Sequence, residues 1–207
     1  MEHFISHLSE ILCALGTIIA AYFAYNQHEK NAKTDLKIEK WKAEQEERSA
    51  KRSDNIAKIY GALWQVLHDL NADRVYIVQP HPLTNSLFLS ISLEVKRNGV
   101  SAMKPCIQKL PMSDIAAFSA ELSQRDFILY GNIEQDVKDK RAKAILSTNG
   151  SHAAVIRRLT DEEHDWIGSL FCEFTHSEHE LNPTRLREVL LTAAERIEFI
   201  LPEYKNN

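Results

Sequence analysis

Leu87–Lys96 reads LFLSISLEVK, and in it Leu87, Leu89, Ile91, Leu93 and Val95 alternate with Phe88, Ser90, Ser92, Glu94 and Lys96. A period of two over ten residues predicts a β-strand with one apolar face. The Arg97-Asn98-Gly99 turn closes it. Upstream, Arg74–Gln79 (RVYIVQ) alternates Val75 and Ile77 against Tyr76 and Val78 and ends at Pro80-His81-Pro82. Two consecutive strands of this kind begin a sheet. Before them, Ile56, Ile59, Tyr60, Leu63, Leu67 and Leu70 fall on one helical face, and Asn71 ends that helix.

The elements that follow extend the sheet. Residues 100–111 are irregular, with Pro105 and Pro111 as breakers, and a short helix is expected from Ser113 as N-cap through Ile115, Phe118 and Leu122. Asp126–Tyr130 (DFILY) reads as a short buried strand. A polar helix from Glu134 to Thr148 stops at Asn149-Gly150. Ala153–Leu159 and Trp166–Thr175 read as a hairpin joined by the acidic turn Thr160–Asp165. Asn182 caps a last helix with Pro183 in its first turn and Leu186, Val189, Leu190, Ala193, Ile197 and Ile200 as its buried stripe. The order α-β-β-α-β-α-β-β-α predicts an α+β domain over residues 56–207, with a mainly antiparallel sheet flanked by helices.

Two segments of different character precede this domain. Ile11–Gln27 (ILCALGTIIAAYFAYNQ) holds no charged residue in 17 positions, near the lower end of the length a membrane helix needs. Met1–Glu10 has no Lys or Arg, which argues against a signal peptide. Leu12–Ala24 has no polar stripe, which argues against a core helix. Residues 1–27 are therefore expected to be a transmembrane anchor, with Ile11, Leu15, Gly16, Ile19, Ala20 and Phe23 in the span and the lipid bilayer as a partner. Lys30, Lys33, Lys37, Lys40 and Lys42 follow the run. Lysines flanking that end predict a single-pass protein of the inner (cytoplasmic) membrane, its N-terminus outside and its globular domain in the cytoplasm. Gly16, Ala20 and Ala24 form a small-residue face that permits helix pairing.

Residues 28–55 carry a charge at nearly every second position and no Pro or Gly. Glu29–Lys33, Glu44–Arg48, Glu47–Lys51 and Asp54–Lys58 stand at i,i+4, acid first, as a solvated helix favours. Apolar positions are too sparse for a convincing heptad, so the segment reads as a helical stalk, not a strong coiled coil. Residues 59–207 carry 16 basic and 20 acidic residues, an acidic balance that argues against nucleic acid as a partner. Cys13, Cys106 and Cys172 make an odd count without a CxxC pair, which suits reduced or buried thiols.

Candidate chemistry is sparse. Cys172, His176 and His179 form a C-x3-H-x2-H cluster that could reach a transition metal, against the plainer reading of a solvated His-rich loop. Tyr76, His81, His152 and Arg157 are the candidates for lining a ligand pocket. His81 sits between two prolines and His152 follows Gly150-Ser151. Arg157 and Arg158 with Lys104 and Lys109 could meet an anion. No carboxylate pair, nucleophile elbow or phosphate-cradling glycine loop accompanies them. The expectation is a protein that is not an enzyme and uses no cofactor.

Residues 56–203 resemble a GAF domain. The resemblance rests on the amphipathic helix running into Ala72-Asp73-Arg74-Val75-Tyr76-Ile77, the long second strand, Gly150 before a strand, Trp166-Ile167-Gly168-Ser169-Leu170-Phe171 and the closing helix. It implies a sheet with a pocket on one side, often used for small ligands, and terminal helices that often dimerise in parallel. The signature of cyclic-nucleotide GAF domains is missing, and so is the Cys-His dipeptide that holds a bilin. The expected function is a membrane-anchored, self-associating sensor or scaffold, a homo-oligomer with room for an unidentified protein partner. The plan of span, helix and globular domain is also similar to single-span phage holins. The alternative is therefore a holin-like or effector protein that permeabilises the membrane through its span.

Overall fold

A computed structural model describes the backbone of residues 2–82, 87–176 and 181–202, and their side chains except at 2–21, 23, 24 and 28–36. The chain divides into two compact units, Met1–Lys51 and Arg52–Asn207. Helix α1 runs Glu2–Asp69, so the backbone across the uncharged run and the charged segment is helical. Among the described residues no helix is long and apolar enough to cross a membrane. The side chains of Ile11, Leu15, Gly16, Ile19, Ala20 and Phe23, on which the anchor expectation falls, lie outside the described residues.

The second unit is built on one six-stranded sheet. Its strands are β1 (Arg74–His81), β2 (Phe88–Lys96), β3 (Leu110–Pro111), β4 (Phe127–Tyr130), β5 (Ala153–Thr160) and β6 (Trp166–Phe174). Their order is β3-β2-β1-β6-β5-β4, and every neighbouring pair is antiparallel. The helices are α2 (Ala116–Gln124), α3 (Ile133–Asp136), α4 (Lys140–Thr148) and α5 (Pro183–Ile197). Asn182 caps α5 as expected, its side-chain oxygen accepting from the N–H groups of Thr184 and Arg185 at 3.1 and 3.2 Å.

Each face of the sheet has its own core. On one side Ile59, Leu63 and Leu67 of α1 and Leu186, Leu190 and Ile197 of α5 cover Val75, Ile77, Val95, Val155, Leu170 and Cys172. On the other, Ile115, Phe118, Leu122, Ile133 and Leu146 cover Tyr76, Val78, Leu89, Ile91, Ile156 and Phe171, with Met103 and Ile107 closing from the loop after β2. A large apolar side chain contributes about 1.5–3 kcal/mol on full burial. Two filled layers thus supply the driving force for a three-layer α/β/α arrangement.

Three local expectations are corrected. The alternation of LFLSISLEVK does not hold one face: Leu89 and Ile91 enter the second core, whereas Leu93 and Val95 enter the first. A β-bulge is the reason. Ile77 pairs with Leu93 and Val78 with Ile91, so Ser92 is the extra residue and the sides exchange there. The single helix expected over Glu134–Thr148 is two. Asn132 caps α3, the Asp139 carboxylate accepts from Arg141 and Ala142 at 3.0 and 3.1 Å to start α4, and extended Val137 turns into the core between them. Ser113 is no N-cap, for a 3-10 turn (Met112–Ile115) starts at Pro111 without a side-chain cap and leads into α2.

Candidate functional site

The end of α1 sets the most polar part of the interior. Asn71 takes a positive φ of 51°, the N–H of Asn71 bonds the His68 carbonyl at 3.1 Å, and that of Ala72 bonds Leu67 at 2.9 Å. This Schellman ending reverses the chain so that Asp73 and Arg74 start β1. Asp73 is tied down at once: its carboxylate accepts from the N–H and hydroxyl of Thr175 at 2.7 and 2.8 Å. A second such ending, with Gly150 at φ 79° and Ser151 N–H on Leu146 O at 3.0 Å, delivers Ser151 beside Arg74.

Arg74 and Glu173, paired across β1 and β6, are both wholly buried, at 0% exposure. Arg74 Nε donates to Glu173 Oε2 at 2.8 Å, and Nη2 donates to the same oxygen and to Ser151 Oγ, the latter at 2.8 Å. Nη1 donates to the Ser101 carbonyl at 2.7 Å. The hydroxyls of Tyr76 and Ser151 both donate to Glu173. Burial is the largest influence and pulls the Arg74 pKa down, but the charge and hydrogen bond of Glu173, with Tyr76 and Glu94, together hold the guanidinium above its ordinary value. Burial, with the Glu173 charge beside it, pushes the Tyr76 phenol well up. The cluster is a charged pair with its hydrogen-bonding capacity used internally. It joins the start of β1, the end of β6 and the loops at Ser101 and Asn149–Ser151.

Next to it, where a sheet-side pocket is expected, the space is filled. The ring of Phe171 stacks on Tyr76 at 4.9 Å and meets Phe118 at 6.3 Å. What remains is a cavity of about 20 Å³ with Val78, Leu89, Phe118, Leu122, Leu146 and Phe171 among its walls. Ligand pockets run to roughly 300–1,000 Å³. A volume near 20 Å³ is that of about one water, and an apolar wall offers a water no partners.

The four pocket candidates do not converge. Tyr76 lies in the second core and is held by Glu173. His81, at the far end of β1, is buried; its Nε2 shares a hydrogen bond of 2.8 Å with Ser90 Oγ, and its ring stacks on Phe88. Burial, then the charge of Lys109, lowers the His81 pKa. His152 is half-buried and bonded through its backbone to Phe174 and Ile133. Arg157 shares strand parity with Val155 and Leu159, on the α1/α5 side, and donates to Asp126 O at 3.3 Å. The anion set also disperses, since Lys104 Nζ donates to Ser92 O at 2.8 Å and Arg158 Nη2 to His164 O at 2.9 Å.

Of the metal candidates, Cys172 is sealed in the first core, where burial pushes its thiol pKa up. His176 is exposed with Nδ1 at 3.4 Å from Asp73, and His179 lies outside the described residues. Among the described residues no three His, Cys, Asp or Glu side chains form a metal-holding group. Sequence reasoning missed Glu173 as the buried partner of Arg74, and Ser151 with it. The available signal was an acid inside the otherwise apolar strand LFCEF, which demands a cationic partner.

The surface has a groove of about 550 Å³ between α5 and the last turns of α1. Ala62, Val66, Val189 and Ala193 are among its apolar walls, and Gln65, Asp69, Glu188 and Arg196 among its polar ones. Arg185 Nη2 donates to Asp69 O at 2.7 Å and Arg196 Nη1 to Gln65 Oε1 at 2.8 Å, which ties the two helices together.

Solved structures share this fold. A GAF domain of Synechocystis sp. PCC6803 in its photoproduct state aligns with a TM-score of 0.56 at 12% identity, over 70% of this chain and 94% of that one. The blue-light absorbing form of the Thermosynechococcus elongatus PixJ GAF domain aligns at 0.57 and 11%, over 72% and 88%. A far-red cyanobacteriochrome photoreceptor aligns at 0.58 and 13%, over 81% and 100%. The fold is GAF-like. No family model and no curated protein matches the chain. The GAF-like fold is thus shared at identities where only architecture carries over.

Proposed function

We propose that this chain is a membrane-anchored, self-associating GAF-like module without catalytic activity of its own, and that it scaffolds by association and takes up no ligand in its sheet-side core. The observation that carries this reading is the small volume left in the sheet-side core: about 20 Å³ of apolar space against the several hundred a small molecule needs. The side chains best suited to chemistry, Arg74, Tyr76 and Glu173, are buried and bonded to one another. The groove between α1 and α5, with small apolar residues in its walls, offers a helix-sized surface for a second copy.

Anchoring rests on the uncharged run Ile11–Gln27 within a helical backbone, since a helix satisfies its own peptide groups in lipid. The lysines after the run support a cytoplasmic globular domain. A reporter fused after Asn207, with alkaline carbonate extraction of the membranes, tests the reading. Retention in the carbonate pellet with a cytoplasmic reporter is expected. Release by carbonate refutes the anchor, and an external reporter refutes the orientation and favours the permeabilising alternative.

A further inference from the structure

On one side the sheet ends at β4, which pairs only with β5. The Arg158 N–H bonds the Asp126 carbonyl at 3.1 Å, and the alternation of an antiparallel ladder turns the backbone groups of Ile128 and Tyr130 toward β5 in the same way. Those of Phe127 and Leu129 therefore point outward, with no partner strand among the described residues. A groove of about 590 Å³ follows this edge, with Leu129 and Tyr130 of β4, Ala117 and Ala120 of α2 and Gln135 and Asp136 of α3 among its walls. Its acids are engaged. Glu121 accepts from the Tyr130 hydroxyl at 2.7 Å and pairs with Arg125 at 2.9 Å, and Asp136 accepts from the Asn132 N–H at 2.9 Å. The cations on the opposite, α5 side of β4 are not. Arg187 lies over the Phe127 ring at 4.7 Å, and Arg157 stands beside Phe127 on β5 with its Nε buried and unbonded. Asp126 pairs with Arg158, at 3.7 Å, so among the described residues neither Arg157 nor Arg187 makes a salt bridge.

We propose that the free edge of β4 takes up an extended acidic segment of a partner protein by antiparallel strand addition. The outward N–H and C=O groups of Phe127 and Leu129 supply the main-chain bonds, and the two flanks supply the choice of side chain. A segment residue opposite Phe127 lies on the α5 side, next to Arg187. An Asp or Glu there meets the charge that the chain itself leaves unpaired. The residue opposite Ile128 points to the other side, into the groove beside Ala117 and Ala120, where small walls leave room for a large side chain. A second copy is the poorer occupant. Antiparallel pairing of β4 with its own copy sets Arg157 and Arg187 of both chains on one side of the joint ladder, and like charges there repel. The inference goes beyond the self-association reading and stands without it, because one copy carries the whole edge.

The test pans phage-displayed short random peptides over the full chain in detergent, as wild type and as two variants whose fold is checked by circular dichroism. Leu129→Pro removes an outward N–H that bonds nothing in the sheet, a place where an edge strand tolerates proline. Arg187→Glu reverses the charge over Phe127. Enriched peptides with Asp or Glu at alternate positions are expected, with binding lost in Leu129→Pro and weakened by about tenfold or more in Arg187→Glu. One such peptide, synthesised and added to the wild type, is expected to slow amide exchange at Phe127 and Leu129 by about tenfold or more. Enrichment without acids, or binding that Arg187→Glu leaves unchanged, overturns the acidic partner. Protection away from β4 overturns the site, and no enrichment overturns the proposal as a whole. Slowed exchange at these two amides that grows with protein concentration, without peptide, marks a second copy on the edge and also overturns it. If Leu129→Pro fails to fold, the exchange measurement and Arg187→Glu still decide.

Discussion

Glu173 and Arg74 carry the most consequential polar contact in the second unit. Both are fully buried and each is bonded to the other. Removing one partner of such a pair strands a charge, which costs on the order of 3–5 kcal/mol, while replacing both with apolar residues of similar size is far milder. Arg74→Met and Glu173→Met singly are therefore expected to lower the denaturant midpoint steeply, and the double variant to recover much of the loss. Additive losses would show that the two do not act as a pair. His81 makes a pH prediction. Its folded-state pKa is depressed by burial and Lys109, so below the unfolded value near 6.5 the unfolded chain binds the proton more readily than the folded one. Stability is therefore complete above that pH and falls as pH drops through it toward the folded value. Thermal melts of His81→Asn between pH 7 and 5 should be flatter than wild type, and parallel curves would remove His81 from the account. Sequence made His81 a pocket candidate from its place between two prolines, and the sheet-side pocket itself came from the GAF resemblance. Only the paired register of β1 and β6, which sets Glu173 opposite Arg74 and Phe171 opposite Tyr76, brings the Tyr76 hydroxyl to an acid.

At the scale of elements, two glycines have opposite roles. A Cβ on Gly168 would lie 2.8 Å from the Val78 carbonyl oxygen, a backbone atom with little room to move. Gly168→Ala should therefore separate β6 from β1 locally and reduce Tm. Gly61, inside α1, would meet nothing within 4 Å, and Gly61→Ala should raise stability by about 0.5–1 kcal/mol. Calorimetry of the two variants gives the comparison, and equal shifts of one sign would contradict it. The element order was largely legible because caps and turns are local: Asn182-Pro183, Asn71 and Asn149-Gly150 each end or start a helix where their chemistry demands. The bulge at Ser92 and the break at Val137 were not. Both satisfy the second core, and a linear pattern does not show that a strand must supply apolar residues to two faces.

For the whole molecule, the GAF-like unit spends its interior on its own packing, and the proposed membrane tether rests on the uncharged run alone. Phe171 is the main obstruction to a ligand. Phe171→Ala should open the apolar cavity at a cost of about 3–5 kcal/mol and create a site for a benzene-sized probe. The GAF-like resemblance carried the sheet and its helices, and it also carried the expectation of a pocket, which these side chains close. The most direct test of the central claim is methyl NMR of the full chain in detergent, titrated with benzene-sized probes and small-molecule extracts, watching Ile115, Leu122, Ile128 and Leu146. The account predicts no saturable shift in the wild type and clear shifts with benzene in Phe171→Ala. A saturable wild-type shift confined to these methyls would show that the core admits a ligand and would contradict the scaffold reading.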